Sequence, residues 1–179
     1  VPDASSGNSS SSSSKNKSEN KIADFEDFEY STSQISVFLR DEQVKSAGFA
    51  NAYLEEQEHQ GYLFKTIYVD DFYDTNMQKI AIRNDSSYLA KVYVFDVGIN
   101  SDVNETYQLI KLRASSSSDK DVNETNQFGD GSFYVNDDRR AQTAFLTVRI
   151  GKYIYGFSYP KEYHAQVKNL IQLITWEMN

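Results

Sequence analysis

The chain has 179 residues, 18 Lys and Arg against 26 Asp and Glu, a formal net charge of −8, no Cys, 2 His, 13 Tyr and 11 Phe. Without Cys there is no disulfide scaffold, no thiolate metal site and no Cys nucleophile. The shortage of positive charge argues against nucleic acid, whose phosphates are met by clustered Lys and Arg, and no stretch approaches the roughly 18 consecutive apolar residues of a membrane span.

Nine of the first twenty residues are Ser, with an unbroken run from Ser9 to Ser14. Asn8, Asn16 and Asn20 and the opposed charges Asp3, Lys15, Lys17 and Glu19 fill most of the rest. Such a stretch has too few apolar side chains to offset the entropy of ordering it. Residues 1–21 are therefore expected to be a disordered Ser/Asn-rich linker, and residues 22–179 a single α+β domain.

A linker implies an attachment, and the sequence starts at Val1 rather than Met. The expectation is a secreted or cell-envelope protein of a bacterium, tethered through a signal peptide or lipid anchor upstream of Val1. A cytosolic protein cut from a longer chain, or the remnant of a purification tag, is the alternative. Sequons at Asn8, Asn16, Asn84, Asn104 and Asn123 raise a glycosylated eukaryotic origin. The Ser tract inflates their number, and a secreted eukaryotic domain without Cys would be unusual.

In chain order, residues 22–45 mix acids with aromatics and have no clear period. From Ser46, the spacing of Phe49, Ala50, Tyr53 and Leu54, closed by Gly61, predicts a helix at about 46–60. Strands are predicted at 62–69, 78–83 and 89–97. The last has apolar side chains on both faces, as a covered central strand requires.

Asp102 and Glu105 have capping-box spacing, and Val103, Tyr107 and Ile110 form a stripe, predicting a helix that ends near Arg113. A polar loop is expected from Ser115 to about Gly131. Thr143 to Ile150 and Tyr153 to Tyr159 alternate as two strands joined by Gly151-Lys152, the signature of a type II′ hairpin. After Pro160 an apolar stripe of Tyr163, Val167, Leu170, Ile171, Ile174 and Met178 predicts a helix at roughly 160–177. The expected fold class is α+β, a mainly antiparallel sheet covered by helices with the C-terminal amphipathic helix packed on it.

Four features invite a chemical reading. Asp119, Asp121, Asn123 and Asp130 occupy the first, third, fifth and twelfth places of an EF-hand-like calcium loop, although Glu124 stands where the turn requires Gly. Calcium is the one cofactor this pattern suggests, and a solvated loop explains the same residues. Asp70, Asp71 and Asp74 are close enough to repel one another, which could raise a carboxyl pKa or draw a cation; a polar turn accounts for them equally.

His59 and His164 lack the context of a catalytic motif. Tyr153, Tyr155, Phe157 and Tyr159 share one face of a strand and would form a platform for sugars or a partner if that face were open, or core if a helix covered it. The functional expectation is a non-catalytic domain that binds a ligand, or a protein or glycan partner at the cell surface. A hydrolase using the Asp cluster with a His, or a calcium-stabilised module, are the alternatives.

Overall fold

The computed structural model describes residues 39–57, 77–96, 102–116 and 118–178. Seven strands of the described residues form one antiparallel sheet: β1 (Tyr53–Gln57), β2 (Met77–Arg83), β3 (Tyr88–Asp96), β4 (Lys120–Glu124), β5 (Gly131–Asp137), β6 (Thr143–Ile150) and β7 (Tyr153–Pro160). Their spatial order is β1-β2-β3-β7-β6-β5-β4, so the two hairpin halves of the chain meet where β3 pairs with β7. Among the described residues three helices accompany the sheet in an α+β fold: α1 (Asp41–Ser46), α2 (Val103–Ser115) and α3 (His164–Met178).

Alternation along the strands divides the core in two. Ile80, Val92, Val94, Leu146, Val148, Tyr155, Phe157 and Tyr159 are buried in one cluster with Val167, Leu170, Ile171 and Ile174 of α3. The neighbouring positions Tyr93, Phe95, Phe133, Val135, Phe145 and Ile154 cluster with Tyr107, Ile110 and Ala114 of α2. β3 is accordingly buried at all seven of its inner positions, as its doubly apolar sequence requires.

Both later helices begin near the predicted places. The Asp102 carboxylate caps α2 by accepting from the Asn104 and Glu105 amides at 2.8 and 3.2 Å. α3 follows a single 3₁₀ turn at Lys161–Tyr163. The β6–β7 hairpin turns on Gly151 at φ 57, while Lys152 is outside the left-handed region, which fits type II′ rather than I′.

The N-terminal part departs from expectation. The helix lies earlier, at Asp41–Ser46, and residues 53–57 form a strand, the outermost among the described residues, instead of part of a helix. Gly48 is the reason. At φ 100 it ends α1 in a Schellman motif, with Phe49 N donating to Val44 O and Gly48 N to Lys45 O. Phe49 is buried, stacking on Tyr163 at 5.9 Å, so its apolar character serves a turn rather than a helical stripe.

The expected loop from Ser115 to Gly131 also contains a strand, β4, whose polar sequence suits its position at the edge of the sheet. β5, which follows, is not foreseen in the sequence reading at all. The tail 1–21 and the predicted strand 62–69 lie outside the described residues. Within them, no helix is long and apolar enough to cross a membrane.

Candidate functional site

The aromatic ladder is core. Tyr155, Phe157 and Tyr159 are buried in the cluster that contains the α3 stripe, and Tyr153 at the hairpin end is half-buried against it. The open platform considered for these four residues is therefore not formed. Burial raises the Tyr155 phenol above its usual range, with Tyr153 adding to the shift.

The four residues of the calcium-loop pattern are not gathered at one point. Asp121 and Asn123 lie in β4, and Asp119 directly precedes it. In extended chain, alternate side chains are about 7 Å apart, so three of them cannot converge on one cation whose ligands sit roughly 2.3–2.6 Å away. Asp119 is ion-paired with Arg139, and the Asp130 carboxylate accepts from the Gly151 amide at 2.8 Å. Among the described residues no group of three or more His, Cys, Asp or Glu could hold a metal ion.

Asp70, Asp71, Asp74 and His59 lie outside the described residues. His164 opens α3, with Nδ1 2.9 Å from the Tyr159 hydroxyl and its ring beside those of Tyr134 and Tyr159. Partial burial lowers its pKa, and the Lys168 charge lowers it further. This pair ties the end of β7 to α3.

A polar cluster that the sequence reading missed occupies the α2 side of the sheet. Two cross-strand rows build it. One runs Ala81, Lys91, Ser158, Phe145 over β2, β3, β7 and β6; the next runs Lys79, Tyr93, Gly156, Thr147 over the same strands. Lys79, Lys91 and Ser158 are each 1% exposed and Thr147 is fully buried. Gly156 sets no side chain between Tyr93 and Thr147, while Lys91 and Ser158 face each other directly.

The electrostatics of the cluster follow from its burial. Desolvation pushes the Lys79 ammonium down to about 7. Lys91 falls to about 6, through burial first and then the positive charges of Lys79 and Arg140. The Lys91 ammonium also lies 5.5 Å from the centre of the Tyr88 ring. Among the described residues the buried hydroxyls of Ser158 and Thr147 have no hydrogen-bond partner. A buried hydroxyl left without a partner costs about 1–3 kcal/mol of stability.

Part of the signal was present in the sequence. Lys91 shares its side of β3 with Tyr93 and Phe95, and a lysine in register with two core aromatics has to be buried. The second lysine was less visible, because Lys79 alternates with Ile80 as an ordinary half-exposed strand would. No family model, no curated protein and no solved structure matches this chain.

Proposed function

We propose that this chain is a non-catalytic binding domain of a bacterial secreted or cell-envelope protein, and that it takes a small anionic ligand, a carboxylate or a phosphate, at the Lys79, Lys91 and Ser158 cluster. One observation carries the reading: two amines and two hydroxyls are gathered in adjacent rows of a buried sheet face, at positions where apolar side chains would stabilise the fold more. An arriving anion favours the protonated form of the two amines, offsetting the desolvation that lowers their pKa, and the Ser158 and Thr147 hydroxyls can donate to its oxygens. The Ser-rich leader and the absence of Cys support the tethered bacterial setting.

Isothermal titration calorimetry of the full chain with inorganic phosphate and with acetate tests the site. Saturable binding of either anion, weakened at least tenfold by Lys91→Met and by Ser158→Ala, supports it. The absence of binding by both, or binding that both variants retain, rejects it.

A protein partner is the second reading, favoured by Trp176, which is 79% exposed on α3. As the only Trp, it reports directly: its fluorescence shifts to the blue if a partner covers it.

A further inference from the structure

We infer that β4 is a self-pairing edge, through which two copies of this chain join antiparallel into one continuous sheet. Among the described residues β4 is the last strand of the sheet and pairs only with β5. Its orientation follows from the bonds at its two ends. Asp138 N donates to Asp119 O, and Thr125 N donates to Ser132 O. Backbone groups alternate in direction along an antiparallel strand. Residues 119, 121, 123 and 125 therefore turn theirs to β5, and Lys120, Val122 and Glu124 turn theirs to the open side.

Sequence then selects the partner. A second copy centred on Val122 sets Val122 opposite Val122, and Lys120 of each copy opposite Glu124 of the other. All three outward-facing residues then form hydrogen-bonded pairs, and Asp121 meets Asn123. No like charges stand directly opposite. Shifting the centre to residue 121 keeps the backbone geometry but sets Asp121 against Asp121, which disfavours that register.

The other outermost strand among the described residues is β1, whose central register is less favourable. Pairing β1 with itself about its middle residue would set Glu55 against Glu55. β4 lacks the proline or bulge with which many edges block association, and its charges, read in reverse, complement themselves.

Sedimentation equilibrium of the full chain across micromolar to millimolar concentration tests the inference, with circular dichroism to establish that each variant is folded. The wild type should dimerise. Val122→Pro removes an outward amide that β5 does not use, and should leave a folded monomer. Lys120→Glu sets Glu against Glu twice across the two-fold axis and should weaken the dimer about tenfold or more.

Adding Glu124→Lys to that variant restores opposite charges and should restore the dimer. It also removes the ion pair between Glu124 and Lys111, which is partly exposed and contributes little. A wild type that stays monomeric throughout would overturn self-pairing and leave the edge to a foreign strand. A dimer indifferent to Val122→Pro and Lys120→Glu, or one the double variant fails to restore, would also overturn it.

Discussion

Lys91 and Ser158 stand directly opposite each other on β3 and β7, both 1% exposed. The sheet thus places an amine and a hydroxyl at its centre, where β3 and β7 join the two halves of the chain. The other inner positions of β3, Leu89, Ala90, Val92, Tyr93, Val94 and Phe95, are buried as well, and this dry surrounding is what desolvates the lysine.

Stability should rise with pH through the neutral range. The folded-state values of Lys79 and Lys91, about 7 and about 6, lie below the ordinary lysine value of 10.5, so the unfolded chain binds more protons in between. Their contribution is fully present above the unfolded value and is lost as pH falls through the folded ones. Urea midpoints measured from pH 6 to pH 10 should therefore increase, and Lys91→Met should flatten the rise. A midpoint that is constant or falling over this range would count against the buried amines.

His164 should titrate below the ordinary histidine range, since burial and then Lys168 disfavour its charged form. The neutral form stabilises the fold above the unfolded value near 6.5, and that contribution disappears as pH falls through the folded value. Carbon-bound imidazole signals, followed by NMR and assigned with a His59→Gln variant, should show this depression. Lys168→Met should partly relieve it. Tyr159→Phe removes the bond to Nδ1 and should cost about 1 kcal/mol in chemical denaturation.

Two glycines with left-handed backbone should respond very differently to alanine. At Gly129, φ 55, an added Cβ would fall 2.3 Å from the Arg149 carbonyl oxygen and 3.0 Å from Val148 and Ile150 side-chain atoms. Backbone strain and steric overlap together should cost about 3 kcal/mol or more. At Gly151, φ 57, nothing lies within 4 Å, so only the conformational cost of about 1 kcal/mol applies. Thermal melts of the two variants provide the comparison; equal losses would show that crowding at Gly129 is relieved by movement of its neighbours.

Calcium should not stabilise the chain through its acidic strand. Asp121 and Asn123 are spread along β4, Asp119 is held by Arg139, and Asp130 binds the Gly151 amide. The melting temperature should be the same in millimolar Ca²⁺ and in chelator. A rise with Ca²⁺ that Asp121→Asn abolishes would contradict this account of β4.

The legible elements were those whose burial is regular. The terminal helix, the Gly151 hairpin, the Asp102 cap and the doubly apolar β3 each state their environment in local sequence. Gly48 misled because the apolar residues after it repeat at helical spacing while the chain uses them in a Schellman turn. β4 misled for the opposite reason: an edge strand is exposed and charged, so its alternation resembles a loop or a calcium motif. The lysine cluster stayed hidden because it depends on register. Only the pairing of β2, β3, β7 and β6 brings Lys79, Lys91, Ser158 and Thr147 into two neighbouring rows.

Anion binding at the Lys79, Lys91 and Ser158 cluster can be read from a titration of the folded chain with inorganic phosphate, followed residue by residue in ¹H–¹⁵N spectra. Saturable shifts should centre on the amides of Lys91, Tyr93, Gly156 and Ser158 and weaken in Lys91→Met. Shifts confined to surface residues away from β3 and β7, or no saturable shift at all, would contradict it.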